Sequence, residues 1–263
     1  MNLLSKSRRL IIENFRLSEI DLNNDLFPLN KLESHYLSNV IRLQFGDKVS
    51  IIDGLGHLWE TTFIDSKYLR FKSSYLSPTI EKKRLKPLIC LAVALPKKDF
   101  DILIRMTCEI GVDIIQPIIS ERVIIKQASK QKYIRWNLIL NEAIEQSERL
   151  WKPELRPAIN FKELIDSSKP NSIYSIAKAR VKDPKEVQSW LTNLSSGFDE
   201  IWIVIGPEGG WTAEEESLAY DSNFTAVSLG DSILRTSTAA IASCNSMISW
   251  RRQQLNIISH SYN

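Results

Sequence analysis

Two segments constrain this chain more than any others: Ile201-Trp-Ile-Val-Ile-Gly-Pro-Glu-Gly-Gly-Trp-Thr-Ala-Glu-Glu-Glu216 and Val227-Ser-Leu-Gly-Asp-Ser-Ile-Leu-Arg-Thr-Ser-Thr-Ala-Ala240. Each reads as a buried strand, an abrupt glycine turn and a helix start. Ile201 to Ile205 is a continuous β-branched and aromatic run, as expected of a strand covered on both faces. Two such turns, one strand–helix unit apart, place two loops at the carboxyl ends of strands, the edge where open α/β sheets bind ligands. The chemistry of the chain should lie there.

The composition of the first turn limits its ligand. Gly206, Gly209 and Gly210 permit positive φ and close approach of a ligand to the main chain. Thr212 is a candidate N-cap, with Glu215 completing a capping box. The turn lacks both glycine spacings that cradle phosphates, offers no lysine and carries Glu208. A carboxylate there repels a triphosphate but tolerates a cationic or neutral ligand. The same spacing also suits a tight connection that binds nothing. In the second turn Gly230 ends a strand over Ala226 to Leu229, and Thr236, Ser237 and Thr238 compete to cap the next helix. Arg235, set between an apolar pair and a cap, is placed either to reach a substrate carbonyl or phosphate or to make a structural salt bridge.

The rest of the chain frames these loops. From Leu88 onward, strands expected at Leu88 to Leu95, Val112 to Ile119, Asn171 to Ala177, Ile201 to Ile205 and Ala226 to Leu229 alternate with helices at Lys97 to Ile110 and Ser129 to Leu150. That alternation predicts a mostly parallel sheet covered by helices. Before it, short runs at Leu10 to Ile12, Lys48 to Ile52, Leu58 to Ile64 and Tyr68 to Tyr75, with turns at Phe45-Gly-Asp47 and Asp53-Gly-Leu-Gly56, predict a small β-barrel interrupted by a helix over Leu32 to Val40. The expected division is a barrel at 1–78, a linker at 79–87 and an α/β domain at 88–263.

Net charge is only +3, so composition alone does not announce a nucleic-acid binder, although basic residues cluster at Arg8-Arg9, Lys82 to Lys86, Lys97-Lys98 and Lys126 to Arg135. Cys90, Cys108 and Cys244 sit in apolar runs and read as reduced core residues. His35, His57 and His260 are too scattered for a metal site. Lys6, Arg8 and Arg9 interrupt the start before a signal-length apolar run develops, and no uncharged stretch approaches the roughly 20 residues that span a bilayer. The expectation is a cytoplasmic protein with neither metal nor membrane.

Six stretches, in order, resemble the RsmE family of ribosomal RNA methyltransferases, of the SPOUT class. His35-Tyr-Leu-Ser-Asn-Val-Ile-Arg-Leu-Gln-Phe-Gly-Asp47 and Ile52-Asp-Gly-Leu-Gly56 are similar to its first-domain elements. Cys108-Glu-Ile-Gly-Val112 with Pro117 and Ser120-Glu-Arg122, and Glu142-Ala-Ile-Glu-Gln-Ser-Glu-Arg149 with Pro153, follow its middle patterns. Gly206-Pro-Glu-Gly-Gly210 and Leu229-Gly with Ile233-Leu-Arg-Thr236 match its cofactor loops.

The resemblance implies a PUA-like barrel that binds RNA, then a SPOUT-type α/β domain with a trefoil knot, acting as a homodimer. It implies S-adenosylmethionine as methyl donor and N3 of a uridine in 16S, small-subunit, ribosomal RNA as acceptor. The donor is then expected on Gly206, Pro207, Glu208, Gly209, Gly210, Leu229, Gly230, Ile233, Leu234 and Thr236. Arg235 would stabilise charge on the uracil carbonyls, Thr236 would orient the base, and Glu208 or water would take the proton. Arg8, Arg9, Arg42, Lys98 and Arg122 are the expected RNA contacts. The chain departs from the family at Ser237, where glutamate is usual, and at Met106, where lysine is common. Those departures keep two rival readings in play: a methyltransferase acting on another ribosomal or transfer RNA site, and an RNA-binding assembly factor that transfers no methyl group.

Overall fold

A computed structural model describes residues 8–12, 16, 19–21, 24–124, 127–179, 185–195 and 197–261, with side chains as far as 255. Lys6, Lys126 and the His260 side chain, named above, lie outside it. The chain forms two compact units. One runs to Arg84 and takes in Ile144–Lys152; the other comprises Leu85–Ala143 and the chain from Pro153 onward.

The first unit contains β1 (Arg8–Ile11), β2 (Leu26–Pro28), α1 (Lys31–His35), β3 (Lys48–Ile52), β4 (His57–Phe63), β5 (Tyr68–Phe71) and β6 (Ile80–Glu81). The sheet order is β1-β3-β4-β5-β2, with β6 on β4, so the segment read as a linker contributes a strand. Alternation sets the faces: on β5, Leu69 and Phe71 are buried while Tyr68 and Arg70 are exposed. The inward residues, including Phe27, Leu37, Ile51, Trp59 and Phe71, make one apolar core. β5 stops four residues before the expected Tyr75, whose carbonyl accepts from the Trp59 indole at 2.7 Å. The expected helix is real but divided. Asn30 and Glu33 cap α1, and Tyr36–Val40 continues as a π-helical turn before Arg42 enters the left-handed region at φ 62°.

The turn at Asp53–Gly56 has a definite use. Asp53 accepts the amides of Leu55 and His57, and on its far side the turn receives the returning chain through Gly56 N–H to Leu150 O at 2.9 Å and Lys152 N–H to Gly54 O at 2.8 Å. A Cβ on Gly56 would lie 2.5 Å from Lys82 O and 2.9 Å from the Trp151 ring, so only glycine fits.

The second unit contains β7 (Leu88–Ala94), α2 (Phe100–Ile110), β8 (Ile114–Ile119), most of α3 (Lys130–Ser147), β9 (Glu154–Leu155), β10 (Ile159–Asn160), α4 (Phe161–Asp166), β11 (Ser172–Ala177), β12 (Lys185–Glu186), α5 (Val187–Thr192), β13 (Glu200–Ile205), α6 (Ala213–Asp221), β14 (Thr225–Ser228) and α7 (Thr236–Ser261). Its sheet order is β10-β8-β7-β13-β11-β14-β12, with β9 on β8, and every pairing is parallel. β7 and β13 are buried along their whole length, which is what their unbroken apolar runs require. α2 begins three residues later than its pattern predicts because Asp99 takes φ 68°. α3 ends at Ser147, where Glu148 takes φ 59°, and its last residues, from Ile144, already belong to the first unit. Because all strands run one way, every strand–helix turn emerges at one edge of the sheet.

Candidate functional site

At that edge β13 delivers Gly206, and the loop to Gly210 closes with Gly210 N–H on Pro207 O at 2.9 Å. Of the three glycines that permit positive φ, only Gly210 adopts it, at 70°. The other two serve packing. A Cβ on Gly206 would lie 2.8 Å from the Trp211 ring, and one on Gly209 would lie 3.3 Å from Arg122 Cβ. Trp211 cannot easily yield, because its indole donates to Ala177 O at 3.1 Å and it packs on Phe161 at 4.8 Å between ring centres.

The Thr212–Glu215 capping box forms as the sequence predicts. Glu215 also reaches outside its helix, accepting the Glu121 amide at 2.9 Å. Next to it, Arg122 donates to Gly209 O at 2.9 Å and Trp211 O at 3.1 Å. The Ser120-Glu-Arg122 stretch therefore braces the first loop. Arg122, expected at RNA, is engaged in holding that loop's carbonyls.

The second loop leaves β14, turns at Gly230 with φ 117°, and enters α7 at Thr236. The Thr236 hydroxyl does not cap its own helix. It donates to Gly206 O at 3.0 Å and ties the two loops together, with the residue only 4% exposed.

β11 lies between β13 and β14, so its end must fall between the two loops. Sequence reasoning missed this third loop, Ala177–Ala179. The strand was legible, but the strand order that makes its end part of the site was not. Lys178 there pairs with Glu216 at 2.6 Å and donates to the Tyr220 hydroxyl at 3.0 Å. Burial opposes its charge, yet the hydrogen bonds to Glu216 and Tyr220 prevail and raise the ammonium pKa above the ordinary lysine value.

The three loops enclose a cavity of about 460 Å³. All ten residues expected to hold the donor line it: Gly206, Pro207, Glu208, Gly209, Gly210, Leu229, Gly230, Ile233, Leu234 and Thr236. Lys178, Trp211, Glu216, Ser232 and Ala239 join them. Arg235 stands outside the lining, exposed, immediately before Thr236; its carbonyl accepts the Ala239 amide at 2.8 Å, but among the described residues its side chain makes no hydrogen bond or ion pair. Size and lining suit a small organic ligand. Bare main chain, apolar side chains and the carboxylate of Glu208 suit one that carries positive charge and no phosphate, Glu216 being already paired with Lys178.

The remaining RNA candidates differ in availability. Arg8, Arg42 and Lys98 are exposed. Arg9 is not: its side chain is 12% exposed and pairs with Glu148 at 3.2 Å. Among the described residues no cluster of His, Cys, Asp or Glu is arranged to hold a metal, and no helix is long and apolar enough to cross a membrane.

Known proteins match this architecture along nearly its whole length. An RNA methyltransferase domain model matches residues 83–248, and an RNA methyltransferase PUA domain model matches residues 29–72. A ribosomal RNA small subunit methyltransferase E from Synechocystis is 36% identical over 84% of this chain and 73% of its own. One from Rickettsia conorii is 30% identical over 86% of this chain and 93% of its own. The crystal structure of a ribosomal RNA small subunit methyltransferase E from Neisseria gonorrhoeae bound to S-adenosyl methionine has a TM-score of 0.77 and 26% identity, covering 92% of this chain and 97% of that one. With its two domain models in order and its curated relatives matched over most of their length, the chain belongs to the ribosomal RNA small subunit methyltransferase E family.

Proposed function

We propose that the protein transfers the methyl group of S-adenosylmethionine to N3 of a uridine in small-subunit ribosomal RNA. The observation that carries this reading is the cavity, in which three loops at one sheet edge present main chain, apolar walls and the carboxylate of Glu208 without a phosphate cradle. Those features fit the donor. Glu208 favours its positive charge, Glu216 being neutralised by Lys178, and Leu229, Ile233 and Leu234 offer an apolar bed for its adenine. When bound, the donor supplies an electrophilic methyl group on a sulfonium sulfur.

The protein's share of the reaction is positioning and charge stabilisation. The uracil imide lies on the Watson–Crick edge, so the base must be unpaired or flipped out to present N3. Arg235, exposed at the start of α7, stabilises the negative charge that spreads onto the uracil carbonyls as N3 loses its proton. The N3 electron pair forms the new bond to carbon while the sulfur–carbon bond breaks, and the proton passes to Glu208 or to water. Thr236 acts by position, holding Gly206 through its hydroxyl. Arg8, Arg42 and Lys98 contact phosphates from the exposed surface. The same reading takes the cavity loops as a trefoil knot and the chain as a cytoplasmic homodimer; it is supported by the family motifs at Gly206–Gly210 and Leu229–Thr236, and light scattering tests the dimer.

Incubation of unmodified small subunits with labelled donor, followed by nucleoside analysis, should yield 3-methyluridine. A different methylated nucleoside would retain the enzyme and move its target, whereas no transfer to subunits or free RNA would remove the reading. Donor binding gives a second check. Gly206→Ala forces its new methyl against Trp211, and overpacking of this kind costs about 1–3 kcal/mol. If that strain falls on the loop, donor affinity measured by calorimetry drops roughly 10-fold or more, since 1.4 kcal/mol is a factor of about 10.

A further inference from the structure

A second cavity, of about 350 Å³, opens where β7 gives way to α2. Leu95 to Ile102 line one side, and Lys132, Arg135 and Trp136 of α3 line the other. Its floor is fixed. Trp136 is buried, packs on Phe100 at 4.4 Å and on Tyr133 at 5.0 Å between ring centres, and donates its indole N–H to Asp101 at 3.1 Å. Lys97, Lys98, Lys132 and Arg135 border the cavity, against the carboxylates of Asp99 and Asp101. Asp101 is already engaged by Trp136 and, at 2.5 Å, by Arg135. Lys97, Lys98 and Lys132 are exposed and have no carboxylate in ion-pair range among the described residues.

Position decides what such a cavity is for. β7 and β13 are neighbours, with Val93 opposite Ile205. Leu95–Lys98 and Gly206–Glu208 therefore leave the same edge from adjacent parallel strands, which lie about 4.8 Å apart. An anion held by these lysines sits beside the loops of the first cavity. Ammonium groups neutralise phosphate as point charges and read no base edge. The buried Trp136 ring offers no free face on which a base could stack. We propose that this cavity binds backbone phosphates of the RNA strand beside the target uridine, through Lys98 and Lys132 with Lys97 at its mouth. The inference rests on the RNA-methyltransferase reading above, and it assigns to this cavity the contact that holds the target strand in place.

The test is the affinity of the wild type and of the Lys98→Ala/Lys132→Ala double variant for unmodified small subunits and for protein-free small-subunit RNA, over a range of salt. Thermal unfolding and S-adenosylmethionine affinity serve as folding controls. The expected result is unchanged donor affinity, RNA binding weakened about 10-fold, and a plot of log affinity against log salt flatter by about 1.4–1.8, the contribution of two phosphate contacts. Equal binding by wild type and variant would overturn the inference alone. So would weaker binding with an unchanged salt slope, because the lost contact would not then be to phosphate. Failure of the wild type itself to bind either RNA would remove the reading on which the inference depends, and the inference with it.

Discussion

Arg235→Ala lowers kcat for methyl transfer by roughly 10²–10³-fold and leaves donor affinity within about twofold, the magnitude typical of removing one group that stabilises transition-state charge. Two observations separate these effects. Arg235 is absent from the lining of the donor cavity, so its loss removes no donor contact. Its guanidinium is also exposed and, among the described residues, unengaged, so it needs no release from a structural partner before it meets a substrate. An exposed cation is worth little in open water, because at short range the attraction between unit charges is only about 1 kcal/mol there. Its contribution grows when the RNA covers the site and excludes solvent, which is when charge develops on the uracil carbonyls. Arg235→Lys keeps the charge but loses the planar fork and should recover only part of the rate. An unchanged kcat for Arg235→Ala, with RNA affinity also unchanged, would exclude the residue from the chemistry.

The contrast between Arg235 and Arg122 shows which parts of the site could be read before the fold was known. Both are arginines beside family motifs, and both were assigned to substrate. Both are exposed, but the structure leaves the Arg235 guanidinium without a partner among the described residues and engages that of Arg122 with the carbonyls of Gly209 and Trp211. No local pattern distinguishes them, because Arg122 and its partners are 87 and 89 residues apart in sequence. Features set by neighbours along the chain were legible: the buried runs of β7 and β13, the Thr212–Glu215 capping box, and the glycine turns that mark the sheet edge. Features set by strand order or by distant packing were not. Ala177–Ala179 joins the site only because β11 inserts between β13 and β14, and Gly206 is glycine because of a tryptophan ring rather than its own φ. Likewise α3 reads as one helix of the second domain, while its end and the residues after it, Ile144–Lys152, belong to the first unit. The Asp53–Gly56 turn that receives them carries that information only in three dimensions.

Asp113→Ala is expected to destabilise the second unit by about 3–5 kcal/mol, because it leaves a buried guanidinium without its counter-charge. Arg251 on α7 and Asp113 before β8 meet at 2.5 Å with side chains only 6% and 5% exposed. Each also holds backbone. Asp113 accepts the Ile89 amide at 2.9 Å at the start of β7, and Arg251 donates to Pro87 O at 3.0 Å. The pair thus fixes the middle of α7 to the central strands, about four turns along the helix from Thr236 and the donor cavity. A surface pair makes the comparison. Lys86 and Asp199 are 2.8 Å apart but more than half exposed, and exposed pairs contribute about 0–1 kcal/mol. Asp199→Ala should therefore barely move the unfolding midpoint, while Asp113→Ala lowers it by roughly 6–20 °C, at about 2–4 °C per kcal/mol for a domain of this size. Replacing both partners, as Asp113→Leu with Arg251→Met, should recover much of the loss, because the main cost of the single variant is the orphaned charge rather than the missing attraction. If Asp113→Ala unfolds at the same temperature as Asp199→Ala, the buried pair is not what anchors α7. If it unfolds early, and donor affinity falls even well below the midpoint, the anchor at Arg251 also helps to hold the loop that Thr236 closes.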